Sequence, residues 1–101
     1  MTVGHGFHAT VTAQPGQGGA VADLLLRAPA LPHPDCVVFL VSRSAGNPDR
    51  VHITEGWTTR EAHAAFFASP MAEAFTASLQ PLLAGEAEYH DGVPVGGKAA
   101  F

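Results

Sequence analysis

Three histidines, His8, His52 and His90, are the first residues in this sequence whose type could support chemistry. Imidazole titrates near neutral pH and is the commonest metal ligand in proteins. We expect the first and third strands to run parallel and the fourth to run antiparallel to both, so that the three rings lie level across a sheet. They then form a proton-handling or metal cluster, or three separate histidines if a one-residue slip turns one of them away. We assign no metal ion to them, and His5 points to the face opposite His8 on a regular strand.

A second candidate group surrounds the only tryptophan, Trp57, where a strand pattern gives way to a helix pattern. His63 begins a run at helical spacing, which turns its ring toward the sheet and toward Trp57. Aromatic walls with one imidazole to hold or move a proton suit a flat phenolic molecule. The alternative is a core tryptophan beside a histidine that is hydrogen-bonded to backbone or solvent. The residues that we assign to substrate binding are Phe39, Phe66, Phe67, Met71 and Tyr89.

The sequence lacks the motifs of nucleotide-dependent enzymes. It has no nucleophile elbow, no phosphate-binding glycine loop and no CxxC pair. Its net charge is −4, and its five Lys and Arg residues are scattered singly, so it has no basic stripe for a phosphate backbone. We therefore expect no cofactor and no nucleic-acid partner.

The apolar segments also indicate where in the cell the chain is expected. No apolar run reaches 18 residues, and no signal-peptide pattern is present. We therefore expect a cytoplasmic protein with no membrane partner. The single cysteine, Cys36, lies in the apolar run CVVFLV, which predicts a buried, unreactive thiol and no disulfide within the chain.

The elements that must position these residues begin with a strand over residues 7–13, where apolar residues alternate with His and Thr. A helix over residues 17–28 follows, and the proline-rich APALPHP ends it. Residues 36–43 and 50–57 are strand-like, and the intervening SAGNPD suits a hairpin turn.

The second half of the chain predicts a helix, a further helical segment and a strand. Thr58 with Glu61 three residues later has the form of a capping box, so Trp57 is the last strand residue. Pro70 opens the second helical segment, and residues 87–93 form the last strand. The order βαββαβ predicts an α+β, ferredoxin-like fold with an antiparallel sheet in the strand order 4-1-3-2.

The length of 101 residues predicts one domain over residues 1–101, with a core at 5–92 and a tail at 93–101. Only 14% of residues are charged, against the usual value of about a quarter. One small core cannot cover both faces of a four-stranded sheet. We therefore expect a homodimer that buries the face turned away from the helices.

Residues 51–75, VHITEGWTTREAHAAFFASPMAEAF, resemble the strand, tryptophan and helix of the antibiotic biosynthesis monooxygenase family. The element order and length agree with that family over residues 5–92. The matching motifs are Glu55-Gly56-Trp57, Glu61-Ala62 and Ser69-Pro70.

This resemblance implies a dimeric α+β barrel, in which two ferredoxin-like sheets pack face to face and each protomer holds a pocket between sheet and helices. The family includes cofactor-independent oxygenases of anthrones and quinols, and haem-degrading enzymes. In the oxygenases, a tryptophan at the position of Trp57 lines the pocket. Their assisting asparagine is Ile53 here, and the histidine common in the family's helix is Phe66.

The chain also has a fainter resemblance to polyketide cyclases of the olivetolic acid type, in which pocket histidines fall at His8 and His52. On a regular strand Trp57 and His52 point to opposite faces. The two resemblances therefore place the pocket on different faces, unless a bulge at Gly56 turns the strand.

We expect a homodimeric, cofactor-independent monooxygenase that uses molecular oxygen on an aromatic polyketide or quinol-like substrate. His52 or His63 is the candidate base for a phenolic proton, Trp57 shapes the pocket, and His8 orients or shares the proton. Two alternatives remain open: a non-oxidative polyketide cyclase or isomerase that uses the same base, and a non-catalytic ligand-binding dimer.

Overall fold

The computed structural model of the protein describes residues 2–98; residues 1 and 99–101, which belong to the predicted domain and its tail, lie outside the described part. The order of elements confirms the predicted ferredoxin-like α+β fold, with the second helical region divided in two. The elements are β1 (His5–Thr12), α1 (Gly18–Leu25), β2 (Cys36–Arg43), β3 (Arg50–Trp57), α2 (Arg60–Phe67), α3 (Pro70–Leu79), a 3₁₀ turn (Gln80–Leu82) and β4 (Glu88–Gly92).

The four strands form one antiparallel sheet in the order β2-β3-β1-β4. The prediction that the first and third strands are parallel is wrong. The crossover through α1 returns β2 parallel to β1, and the hairpin then reverses the chain, so β3 runs opposite to both neighbours. As a result His8 lies opposite His90, whereas His52 lies opposite Thr10, and the three histidines are not level.

The helix boundaries differ from the prediction in two places. α1 ends at Leu25, three residues early. The amides of Arg27 and Ala28 bond to the carbonyls three residues back, which tightens the last turn, and Pro29 disfavours helical backbone at the residue before it. The N-cap of α2 is Thr59, whose hydroxyl accepts a hydrogen bond from the amide of Ala62 at 3.0 Å. The predicted cap, Thr58, instead donates its hydroxyl to Asp35 at 2.8 Å and ties the end of β3 to the loop before β2.

The start of α3 confirms the prediction that Pro70 opens a helix. Ser69 is its N-cap, and the hydroxyl of this serine accepts from the amide of Ala72 at 3.3 Å. The missing amide hydrogen of proline costs nothing in the first turn, where an amide has no partner within the helix. No helix within residues 2–98 combines the length and the apolar character that a membrane crossing requires.

The two faces of the sheet differ in their covering. The helix-covered face carries the core: Phe7, Ala9 and Val11 on β1 pack with Val51 and Ile53 on β3, and all five are buried. The other side, which we call the open face, has no helix over it within residues 2–98. The residues of the open face include His8, Thr10, His52, Thr54, His90, Val38 and Leu40.

The alternation of β3 continues to its last residue. The pairing of β1 with β3 is regular through Gly56, so Glu55 and Trp57 both lie on the helix-covered face. The irregularity lies instead on β2, between Cys36 and Val38. No bulge at Gly56 turns the strand, so Trp57 and His52 lie on opposite faces of the sheet. Gly56 does lie in a crowded place, since an added Cβ would be 3.0 Å from side-chain atoms of both Val3 and Val38.

Candidate active site

The helices and the helix-covered face enclose a largely apolar cavity of about 100 Å³. This is smaller than a cavity of roughly 150 Å³ that admits benzene in another protein, so it has room for at most one aromatic ring. Four of the five residues predicted to bind substrate line it, namely Phe39, Phe66, Phe67 and Tyr89. The aromatic rings that line it in addition are those of Phe7 and Phe75.

The fifth residue predicted to bind substrate, Met71, does not line the cavity. Its side chain is 66% exposed, because it lies in the first turn of α3 on the side turned to solvent. The residues that α3 presents to the cavity are Ala72, Phe75, Thr76 and Leu79.

Glu55 supplies the one carboxylate among the described residues that line the cavity. Its side chain is 12% exposed, and its Oε1 accepts a hydrogen bond from the indole nitrogen of Trp57 at 2.9 Å. Burial raises the pKa of the Glu55 carboxyl, and the indole N–H opposes this shift. No role for Glu55 was predicted from the sequence. The signal was present in the Glu-x-Trp spacing, because residues two apart on a strand share a face.

Trp57 is completely buried, and it lies behind the cavity wall. Its indole contacts the ring of Phe66, with the ring centroids 5.1 Å apart, and the ring of His33 at 5.2 Å. Trp57 thus fixes one wall residue by packing and Glu55 by a hydrogen bond. The indole of Trp57 therefore positions Phe66 and Glu55 and does not itself line the cavity.

His63 confirms the prediction that its ring turns inward near Trp57. It is 8% exposed, and the two ring centroids are 5.3 Å apart. Burial and the nearby His5 lower the pKa of the His63 imidazole, against the effect of Asp91. Its Nε2 lies 3.9 Å from Glu55 Oε1, beyond hydrogen-bond distance. His63 lies beside the cavity, in a neighbouring open cleft that also contains His5 and Asp91.

His8 and His52 lie on the open face, with the sheet between them and the cavity. Each pairs with a threonine hydroxyl on the adjacent strand: His52 Nδ1 lies 3.0 Å from Thr10 Oγ1, and His8 Nδ1 lies 3.3 Å from Thr54 Oγ1. The structure therefore brings His63 and Trp57 together and keeps these two histidines apart from them.

Two positions that hold an asparagine and a histidine in the resembling family lie in the cavity wall of this protein. Ile53 replaces the asparagine and is buried, and Phe66 replaces the helix histidine. A phenylalanine ring offers no ligand atom to a haem iron at that position. The wall is therefore more apolar here than those family positions imply.

The family model described as antibiotic biosynthesis monooxygenase matches residues 5–78, and the chain belongs to this family. A crystal structure from Chloroflexus aurantiacus, of a protein assigned to the antibiotic biosynthesis monooxygenases, is 33% identical and has a TM-score of 0.82. The match covers 94% of this chain and 96% of that one. No protein with a curated function matches this chain.

More distant solved structures share the fold. A protein of Deinococcus radiodurans assigned to the same monooxygenases is 21% identical, with a TM-score of 0.80 and coverage of 96% of this chain and 98% of that one. A protein of Caulobacter crescentus with the same assignment is 21% identical, with a TM-score of 0.81 and coverage of 93% and 92%. At these identities the likeness shows the ferredoxin-like fold.

Proposed function

We propose that this protein is a cofactor-independent monooxygenase that oxidises a quinol or a related aromatic polyketide with molecular oxygen. The observation that carries the proposal is the aromatic cavity with one buried carboxylate, Glu55, in its wall. Apolar walls with few polar groups are the usual form of a pocket for a flat aromatic ligand. The cavity volume of about 100 Å³ favours a single-ring quinol, or one ring of a larger substrate.

Glu55 is placed to accept a hydrogen bond or the proton from a phenolic hydroxyl in the cavity. A quinolate then gives electrons to O₂, and a bond forms between a ring carbon and oxygen. When the O–O bond of this hydroperoxide breaks, the ring C–H proton leaves and water forms. Hydroquinone and O₂ thus yield hydroxybenzoquinone and one water, with the ring oxidised by four electrons and O₂ reduced by four.

In this proposal the aromatic walls hold the ring and exclude water from the reacting atoms. Trp57 holds Glu55 in position through its indole N–H. Of the three candidate histidines from the sequence, His63 lies on the same side of the sheet as Glu55, with its Nε2 3.9 Å from Glu55 Oε1, and we assign it no step of the reaction. His8 and His52 have no role in this site, because the sheet lies between them and the cavity.

The experiment is to measure oxygen consumption with single-ring hydroquinones and with anthrones, using ¹⁸O₂ to follow the label into product. We expect uptake of one O₂ per product, and one labelled oxygen in the ring. Glu55→Gln should lower the rate about a hundredfold, the size typical for loss of a positioned proton acceptor. Glu61→Gln, which alters an exposed carboxylate on α2, is the matched control and should keep the parental rate.

The same experiment separates the alternatives. Conversion of a substrate without oxygen uptake would support a cyclase or isomerase. Saturable binding of the aromatic compounds without conversion would support a ligand-binding protein. A Glu55→Gln variant with the parental rate would exclude the cavity carboxylate from the reaction.

We also propose that the protein is a homodimer joined through the open face. Leu40, 37% exposed, and the half-buried Val38 lie on this face among the histidines and threonines. Apolar residues on a sheet face that no helix covers favour a second protein layer. The sedimentation coefficient at micromolar concentration tests this proposal, and a monomer would overturn it.

A further inference from the structure

At one end of the sheet, three side chains from three different elements come together in the cleft beside the cavity. His5 begins β1, His63 lies on α2, and Asp91 lies on β4 opposite Phe7. One nitrogen of each imidazole and one carboxylate oxygen all lie within 4.8 Å of one another. This is a different set from His8, His52 and His90, since only the helix-covered face brings these three together.

The two imidazole nitrogens in this cluster lack partners. Nε2 of His5 and Nε2 of His63 are buried and make no hydrogen bond, and within residues 2–98 no other buried side-chain nitrogen or oxygen is in this state. The Oδ1 atom of Asp91 lies 3.2 Å from His5 Nε2, but the two groups are not aligned as a hydrogen bond. Buried polar atoms are nearly always paired, and an unpaired one is often explained by a bound ion or water.

We propose that His5, His63 and Asp91 bind a divalent transition-metal ion. Two imidazoles and one carboxylate are a donor set that suits Zn²⁺ or Fe²⁺ and leaves positions open for water or a ligand. Bonds of about 2.1 Å in a tetrahedral site place ligand atoms roughly 3.4 Å apart. The separation between His5 and Asp91 already meets this value, and the others are at most 4.8 Å.

Two fixed imidazoles and one exposed carboxylate allow the site to close around an ion. The imidazoles of His5 and His63 are fixed by packing, with ring centroids 5.1 Å apart and His63 also packed 4.8 Å from the ring of Phe7. The side chain of Asp91 is 71% exposed, so its carboxylate can rotate toward both nitrogens. The cleft is open to solvent and gives a metal ion a path to the site.

A simple ion pair does not account for the cluster equally well. Reorientation of the Asp91 carboxylate could satisfy a protonated His5, but it would leave Nε2 of His63 buried without a partner. Glu55 does not solve this, since its Oε1 is 3.9 Å away and already accepts from Trp57. One metal ion bound between the imidazoles satisfies both nitrogens at once.

The metal site is independent of the proposed monooxygenase activity, and no step of that reaction passes through it. The cleft and the cavity share Phe7, Phe67, Thr76 and Tyr89 as walls, so the ion would lie next to the substrate cavity and outside it. Binding of the metal can therefore be measured without any substrate.

The test is a titration of the full-length protein, without a histidine tag and after treatment with a chelator, with ZnCl₂ in a calorimeter. Titration with CoCl₂ gives a visible spectrum that reports nitrogen and oxygen ligands. We expect one ion per chain and a metal-dependent rise in melting temperature. Asp91→Asn and His5→Gln should each weaken binding by about tenfold or more, because each removes one ligand.

The matched control is His90→Gln, which removes an exposed histidine from the open face and should leave the affinity unchanged. Asp91→Asn changes an exposed group and should keep the parental circular dichroism spectrum, which separates loss of a ligand from loss of fold. Parental affinity in both Asp91→Asn and His5→Gln would overturn the proposal. So would the absence of a saturable site at one ion per chain, or an equal loss of affinity in His90→Gln.

Discussion

The two faces of the sheet are built from the same four strands, yet they place ionisable groups in different surroundings. On the open face, His8 and His52 stand beside threonine hydroxyls on neighbouring strands. On the helix-covered face, Glu55 and His63 are largely removed from water, and burial is the main cause of the shift in the pKa of each. The number of histidines on a face is therefore a poor guide to the site. Desolvation by the covering helices shifts the pKa values of Glu55 and His63, and this burial marks the site.

Among the changes that test this difference between the faces, Trp57→Ala should have the largest effect on stability, because it removes a completely buried indole from the covered face. We expect the free energy of unfolding to fall by about 3–5 kcal/mol, as for other large-to-small core changes. Urea denaturation measures this value. Met71→Ala, a change at an exposed residue on the same side of the molecule, is the control and should stay within about 0.5 kcal/mol of the parent. Near-parental stability of Trp57→Ala would show that the indole is not a core anchor.

The thiol of Cys36 offers a chemical probe of the covered face. Burial, and then the carboxylate of Glu55, raise the pKa of this thiol to about 11, against the bond to the carbonyl of Val38. Only the thiolate reacts, so alkylation by iodoacetamide at pH 8 should be on the order of a hundredfold slower in the native protein than in the urea-unfolded chain. The native rate should rise with pH up to that value.

Glu55→Gln sharpens this probe, since removal of the negative charge should lower the pKa of the Cys36 thiol and speed native alkylation. Equal rates in the native and unfolded parent would contradict the burial of the thiol.

Leu40→Glu tests the open face as an interface. A charge placed on the apolar part of this face should weaken a dimer joined there, and we expect the dissociation constant to rise by about tenfold or more. Sedimentation across a range of protein concentrations measures it. Met71→Glu introduces the same charge at an exposed residue on the other side and should leave association unchanged. Equal association of both variants would place the interface elsewhere.

His52→Ala should have the smallest effect. Because His52 lies across the sheet from the cavity, we expect turnover of a quinol to stay within about twofold of the parental rate, as for surface changes away from a site. The measurement is the oxygen-uptake assay that is used for Glu55→Gln. A hundredfold loss of turnover rate in His52→Ala would place the substrate pocket on the open face. That is the face to which the resemblance to polyketide cyclases assigns it.

Much of this molecule follows from local pattern alone. The alternation of β1 turns His5 and His8 to opposite faces, and the strand run ending at Trp57 is continuous. The helical spacing after the tryptophan turns His63 inward. These features were predictable because a side chain's direction depends on the period of its own strand or helix. The cap of α2 was misplaced by one residue, since either threonine could serve and the contact with Asp35 decides between them.

The sequence by itself determined the elements, their order and the apolar face of β1. Only the tertiary structure decided which strands run antiparallel, and so which histidines face each other. It also placed Glu55 against the cavity with Trp57 as its hydrogen-bond donor, and it gathered His5, His63 and Asp91 from distant parts of the chain. The physical reason is that periodicity fixes directions within one element. Distances between elements depend on strand order and on the packing of helices over the sheet.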